Sequence, residues 1–356
     1  MNWIEKMIAE QCPNGVEMVK LGKVCSFNRG RTITSKDAVG GDVPVIAGGL
    51  IPSYFHNEYN RCGETITVAG SGANAGFVAY WDIPIFLSDA FSVDTSDNLL
   101  TKYAYYYLKN NQNKIYSTQK GAGVPHVHGK DIANFEIPLP PLSIQKEIVS
   151  VLDKFSELIE KTDEEIALRQ KQYEYYREKL LTFEDGEKIK VSSFAELKAG
   201  KAISAQELSE IKDNEHQYPC FGGNGIRGYI NKKSHTGNYA IIGRQGALCG
   251  CVSWATGDFY ATEHAVVVTP KDGYDSRFLL YFFTNANLNQ YKSQGAQPGL
   301  AVSNLNELKY ILPPLSRQQE IVETLDKFEA LISKLKDERE LHQKQYEYYR
   351  EKLLTF

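Results

Sequence analysis

Two stretches of the chain carry an apolar stripe of unusual regularity. Leu152, Phe155, Ile159, Thr162, Ile166, Arg169, Tyr173, Tyr176, Leu180 and Phe183 step by three and four residues in strict alternation, and eight of the ten are apolar or aromatic. Leu325, Phe328, Ile332, Leu335, Arg339, His342, Tyr346, Tyr349, Leu353 and Phe356 do the same, again with eight of ten. A 3.5-residue repeat keeps one narrow helix face turned toward a partner, so both stretches predict the seam of a coiled coil. Each begins after Pro-Pro-Leu-Ser, where the prolines block helix and Ser143 or Ser316 is placed to cap the first turn. About 40 residues at 1.5 Å each predict rods of roughly 60 Å. Elsewhere short runs rich in Val, Ile, Tyr and Phe are broken by Gly, Asn, Asp and Pro, with helical pieces near 101–115 and 275–291. That is an α+β pattern of many short strands.

The whole arrangement occurs twice. QKQYEYYREKLLTF stands at 170–183 and again, letter for letter, at 343–356, and the same offset of 173 brings PPLSIQKEIVSVLDKFSELI at 140–159 onto PPLSRQQEIVETLDKFEALI at 313–332. Upstream the match is looser but in order: VKLGKVCSFNRGRTIT with IKVSSFAELKAGKAIS, PVIAGG with PCFGGN, GANAGFVAYW with QGALCGCVSW, LSDAFSV with ATEHAVV, and KGAGVPHVHGKDI with QGAQPGLAVSNL. The chain therefore divides into a first lobe (1–140), a first long helix (141–183), a second lobe (184–313) and a second long helix (314–356). For the two stripes to bury each other, the helices must run antiparallel, which predicts two pseudo-symmetric lobes separated by a two-helix coiled coil. The polar seam residues Arg169, Arg339 and His342 are candidates for fixing its register. WIEKMI at 3–8 echoes YREKLL at 176–181, which predicts a short N-terminal helix docking near the C-terminus.

Charge and cysteines narrow the function classes. A formal net charge of −4 is nearly balanced within each lobe, which excludes a protein that coats nucleic acid through a large basic excess. Any such contact must come from local patches. The six cysteines show no CxxC or zinc spacing and read as buried free thiols in a reducing cytoplasm. No signal peptide or apolar run long enough for a bilayer is visible, so a cytoplasmic protein without a membrane partner is expected.

Catalytic motifs are absent. Gly70-Ser-Gly72-Ala-Asn-Ala75 fits the GxGxxA dinucleotide fingerprint, but a second strand, FVAYW, follows where that fingerprint requires a helix, so it reads as a turn between strands. There is no P-loop, HExxH or GxSxG. His126 and His128 read as polar loop residues rather than metal ligands, and no metal or cofactor is expected in this chain. Asp89 and Glu263 appear at matching repeat positions with a structural hydrogen-bonding role. What remains are polar loops whose chemistry suits DNA, since Arg reads guanine, Asn or Gln reads adenine, and Lys holds phosphate. In lobe one the candidates are Arg29, Arg31, Lys36, Asn74, Lys120, His126, His128 and Lys130. Lobe two offers Lys201, Asn224, Arg227, Lys232, Lys233, Arg244, Gln245, Gln294 and Gln297. Tyr175 and Tyr348 point off the seam in the identical segments and are candidate partner anchors.

This order of lobe and PPLxxQ-E-I helix, given twice, closely resembles the specificity subunits of type I restriction-modification systems. The resemblance covers essentially the whole chain and is carried by IPLPPLSIQKEIV, ILPPLSRQQEIV, TVAGSGANAGFV, IIGRQGALCGCV and QGAQPGL. In lobe one KGAGVPHVH departs from the last of these. It implies a non-catalytic chain with two target recognition domains, each reading one half of a bipartite, asymmetric site on double-stranded DNA. It further implies two modification (methyltransferase) subunits and restriction (translocase and nuclease) subunits as partners. S-adenosylmethionine, ATP and Mg would be used by those partners.

Overall fold

The structure, a computed structural model, describes residues 3–121, 123–294 and 298–356. It forms two compact units, Met1–Asp163 with Asp337–Phe356, and Glu164–Lys336. The boundary between them runs through the long helices rather than between a lobe and its helix.

The first unit begins with α1 (Trp3–Gln11), β1 (Met18–Lys20), α2 (Leu21–Val24) and β2 (Cys25–Arg29). Then come β3 (Val43–Ile46), β4 (Tyr54–His56), β5 (Thr65–Ala69), β6 (Val78–Trp81), β7 (Phe86–Leu87) and β8 (Ala90–Thr95). The helices α3 (Thr101–Asn110), α4 (Gln112–Tyr116) and α5 (Gly129–Ile132) precede β9 (Glu136–Pro138) and the long α6 (Leu142–Leu181). One sheet has the order β2-β8-β5-β6, a second β4-β3-β7, and β1 pairs with β9. β5 reads Thr-Ile-Thr-Val-Ala and is buried at every position, as suits a β-branched strand covered on both faces. Its turn to β6 contains the GxGxxA letters and leads directly into an antiparallel partner, Val68 facing Val78, so no helix N-terminus is available for a pyrophosphate.

The second unit repeats this plan. β10 (Ile189–Lys190), α7 (Val191–Phe194) and β11 (Ala195–Ala199) lead to β12 (Tyr218–Gly222), β13 (Gly225–Ile230), β14 (His235–Thr236), β15 (Tyr239–Gly243), β16 (Val252–Ala255), β17 (Asp258–Ala261) and β18 (Ala265–Pro270). Then follow α8 (Ser276–Asn285), α9 (Val302–Glu307), β19 (Lys309–Tyr310) and α10 (Leu315–Leu354). The sheets run β11-β18-β15-β16 and β13-β12-β17-β14, with β10 paired to β19. In each unit the second sheet contains one parallel pair, β3 with β7 and β12 with β17, between otherwise antiparallel neighbours. α8 is capped by Asp275, which accepts from the Phe278 amide at 2.8 Å, and buries six consecutive residues, Phe278–Phe283, in a core shared by its sheet and the long helices.

Within each unit the long helices pair antiparallel. In the first, Leu152 near the start of α6 and Leu353 near the end of α10 enter one core, and Phe155 stacks on Tyr349 with centroids 5.3 Å apart. In the second, Tyr176 stacks on Phe328 at 5.5 Å, and Leu325 and Ile332 are buried. Ile159, Ile166, Tyr173, Leu180, Leu335 and Tyr346 are half-buried, whereas the off-stripe Leu158, Leu168, Leu331 and Leu341 are exposed. Of the polar seam residues, Arg339 reaches the other helix, its Nε 3.0 Å from Asp163 Oδ1. Arg169 binds Glu165 and Gln172 on its own helix, and His342 lies 4.0 Å from its neighbour Glu338.

The helix starts differ from expectation. Leu142 and Leu315 are already helical, and the carbonyls of Pro141 and Pro314 accept the first amide bonds, from Ile144 and Gln145 and from Arg317 and Gln318. A proline just before the first turn loses nothing by lacking an N–H there, so it takes the cap position. Ser143 falls inside the turn and donates instead to Gln11 Oε1 of α1 at 2.8 Å. α1 also buries Ile4 in the core that receives Leu353 and Leu354, and Lys352 lies 2.7 Å from Glu5. The short N-terminal helix therefore docks beside the C-terminus.

No helix among the described residues is long and apolar enough to cross a membrane. Among the six free cysteines, Cys220 and Cys249 are buried, while Cys62 and Cys251 are exposed, contrary to a uniform reading as buried thiols.

Candidate nucleic-acid interface

Each lobe places a polar cleft where the loop after β5 or β15 meets the segment before its last short helix, α5 or α9. In lobe one Gly72 N donates to Pro125 O, Val127 N to Gly70 O, and Lys120 and His126 bond each other through both backbone groups. In lobe two Gly246 N donates to Pro298 O, Leu300 N to Arg244 O, and Ser293 N to Gly299 O. Residues 70–72 with 125–127, and 244–246 with 298–300, therefore share a backbone frame although their side chains differ.

Arg29, Thr32, Ser71, Asp89 and His126 line the lobe-one cleft, and Arg29, His128 and Lys130 line an adjoining hollow with Phe27 and Phe91. The rings of His126 and His128 lie parallel at 6.5 Å, a flat polar edge. Ser71 Oγ donates to the Asp89 carboxylate. Among the described residues no three His, Cys, Asp or Glu side chains converge as a metal site. In lobe two the cleft, of about 470 Å³, is lined by Arg244, Gln245, Tyr291, Lys292, Ser293 and Asn304.

Other candidates are engaged or stand apart. Lys120 contacts both carboxylate oxygens of Asp131, at 2.9 and 2.8 Å, and that hydrogen bond holds the Asp131 carboxyl below its ordinary pKa. Arg31 pairs with Glu58 at 3.5 Å over the Phe86 ring, Lys232 pairs with Glu207, and Lys233 with Asp258 at 3.0 Å. Lys36 and Lys201 are exposed away from these clefts, Asn74 is a half-buried turn residue, and Asn224 and Arg227 stand at the exposed β12–β13 hairpin. Gln294 is exposed, and Gln297 lies outside the described residues.

Ladder register corrects one expectation. Ala69 faces Ala90 and Gly243 faces Ala265, so lobe two has three residues, 262–264, where lobe one has two, 88–89. His264 thus stands in the place of Asp89, and Glu263 belongs to the inserted position. Glu263 Oε1 lies 3.1 Å from His264 Nε2, while its Oε2 takes no hydrogen bond among the described residues.

Tyr175 and Tyr348 are 58% and 60% exposed, so both remain open to a partner, and each sits edge-on to the next tyrosine at 5.3 Å. Their surroundings are not the same. Lys179 lies over the Tyr175 ring at 5.8 Å, whereas its counterpart Lys352 is drawn to Glu5.

The model of the type I restriction modification DNA specificity domain matches residues 13–168 and again 184–342. The chain belongs to this family. A type I DNA specificity chain of Escherichia coli, the EcoprrI specificity subunit, is 35% identical over 94% of this chain and 92% of its own length. The EcoR124I/EcoR124II specificity subunit, also from Escherichia coli, is 28% identical over 100% and 97%. The crystal structure of a type I restriction-modification S subunit from M. genitalium shares the fold, with a TM-score of 0.69 at 17% identity over 96% of this chain and 97% of that one. This type I specificity subunit is accordingly a non-catalytic component of a restriction-modification complex.

Sequence reasoning missed Ser71, Lys292, Ser293 and Asn304 of the specificity subunit's clefts, whereas the hydrogen-bonding role expected of Asp89 agrees with its bond from Ser71. Ser71 was legible, since it stands inside the singled-out glycine loop. Lys292, Ser293 and Asn304 carry no local signal; only the backbone bonds that close the loop before α9 bring them to Arg244.

Proposed function

We propose that each lobe of this specificity subunit reads one half of a bipartite, asymmetric site on double-stranded DNA. The observation that carries this reading is the pair of clefts: one backbone frame, built twice, presents Arg29, His126 and His128 in one copy and Arg244 and Gln245 in the other. A conserved frame with different long polar side chains suits two readers of two sequences. The helices set the spacing between half-sites, which is supported by the length of α6, 40 residues that begin in one unit and end in the other. Two modification subunits dock on the repeated QKQYEYYREKLLTF segments, and restriction subunits join the same complex. S-adenosylmethionine, ATP and Mg belong to those partners, and the complex works in the cytoplasm.

The test assembles the chain with its modification subunits and sequences the sites they methylate. The expected result is one motif with two specified halves and an unspecified spacer, where Arg29→Ala alters one half only. A motif without two halves refutes the reading. For docking, Tyr175→Ala with Tyr348→Ala is expected to weaken modification-subunit binding at least tenfold, since exposed aromatic anchors carry a large share of interface energy. Unchanged binding with an unchanged circular dichroism spectrum refutes that part.

A further inference from the structure

The matched backbone bonds allow the clefts to be compared position by position. Gly70 N donates to Asp89 O, and Arg244 N to His264 O; Ser71 bridges His126, and Gln245 bridges Gly299. Gly30 and Gly200 donate to Ala90 and Ala265, so Arg29 holds the position in lobe one that Ala199 holds in lobe two. His128 precedes α5 as Ala301 precedes α9. At six matched positions the long side chains therefore exchange walls. Lobe one has Arg29, His126 and His128 where lobe two has Ala, Gly and Ala, and lobe two has Arg244, Gln245 and His264 where lobe one has Gly, Ser and Asp.

A second observation concerns lobe two alone. Arg244 Nε and His264 Nδ1 are withdrawn from solvent, yet neither makes a hydrogen bond among the described residues. Polar atoms so placed are costly unless a partner arrives. The guanidinium has five donors in a planar fork, which matches guanine O6 and N7, and the Gln245 amide matches adenine N6 and N7.

We propose that lobe two reads its half-site from the wall formed by the loop after β15, with Arg244 taking a guanine and Gln245 a neighbouring adenine in the major groove. Lobe one reads from the opposite wall, through Arg29 and the two histidines. This assignment rests on the reading that the lobes bind DNA. It goes further in naming which wall of each cleft meets the bases and which bases lobe two selects.

The experiment uses the complex with modification subunits and a DNA pool randomised over both half-sites. Arg244→Lys keeps the charge but loses the planar fork, so guanine preference at one position should fall, by up to about 150-fold, with the other half-site unchanged. Gln245→Ala should relax the adjacent position, and it keeps the proposal testable if Arg244→Lys disturbs folding. Arg29→Ala should relax a position in the other half-site. An unchanged motif in both lobe-two variants overturns the proposal. So does uniform weakening on all sequences, which marks a phosphate contact. Failure of the underlying reading looks different, because the wild-type complex would then select no two-part motif.

Discussion

Gly48 and Gly223 occupy the same place in the two lobes, pressed against the loops that form the clefts. A Cβ on Gly48 would meet Ser71 O at 2.5 Å, and one on Gly223 would meet Gln245 O at 2.6 Å. Neither backbone atom can retreat without moving the side chain that faces the cleft. Gly223→Ala is therefore expected to cost about 1 to 3 kcal/mol in urea unfolding and to weaken lobe-two selectivity. Gly40→Ala, with nothing within 4 Å of the added carbon, should stay within about 0.5 kcal/mol. Equal effects from both substitutions would remove the packing argument. At this scale the sequence was legible where a long polar residue follows a strand, as with Arg29, Arg244 and Gln245. Nothing in the local letters marks Arg31, Lys120, Lys232 and Lys233 as already engaged, because their acids, Glu58, Asp131, Glu207 and Asp258, stand 11 to 27 residues away in the chain.

Between elements, each lobe grips a long helix through one aspartate in the repeated Leu-Asp-Lys-Phe. Asp153 of α6 takes Lys102 at 2.8 Å and the Tyr106 hydroxyl at 2.6 Å, while Asp326 of α10 takes Arg277 at 2.9 Å and the Tyr281 hydroxyl. Burial and the hydrogen bond to Asp326 both push the Tyr281 pKa up, so the hydroxyl remains a donor throughout the neutral range. Asp326→Ala leaves the buried Tyr281 hydroxyl and the half-buried Arg277 Nε without their acceptor, while Arg277 keeps Glu329 at 2.6 Å. A loss of about 1 to 2 kcal/mol is expected in chemical unfolding, the upper part of the usual range being reduced by the partial exposure of the pair. Deleting α1 removes the wholly buried Ile4 and the Glu5–Lys352 contact, so it should lower stability by about 2 kcal/mol or more; an unchanged melting temperature would show the helix to be dispensable. The helices themselves were legible because a 3.5-residue stripe has a single geometric cause. Their first turns were not, since the Pro141 and Pro314 carbonyls accept first-turn amide hydrogens that Ser143 and Ser316 were expected to accept. The lobes were legible as α+β, yet letter matching paired Asp89 with Glu263, because a one-residue insertion in a loop is visible only through strand register.

For the whole molecule the duplication divides labour. The long helices share 27 of 40 positions and repeat letter for letter over QKQYEYYREKLLTF, whereas the lobes keep a backbone frame and exchange side chains within it. If the proposed spacing role holds, rod length must translate into base pairs. Inserting seven residues at matching points of α6 and α10 preserves the stripe, because one heptad returns every seam residue to the same face. It adds about 10.5 Å of helix, close to three base pairs at about 3.4 Å each. The expected product is a complex that methylates both original half-sites with a spacer about three base pairs longer. Inserting four residues in α6 alone adds about 6 Å but rotates the stripe away from its partner, so it should shift the spacer by one or two base pairs and also lower the melting temperature. Genome-wide sequencing of methylated sites distinguishes these results. A lengthened pair of helices with an unchanged spacer would mean that something other than the coiled coil holds the half-sites apart.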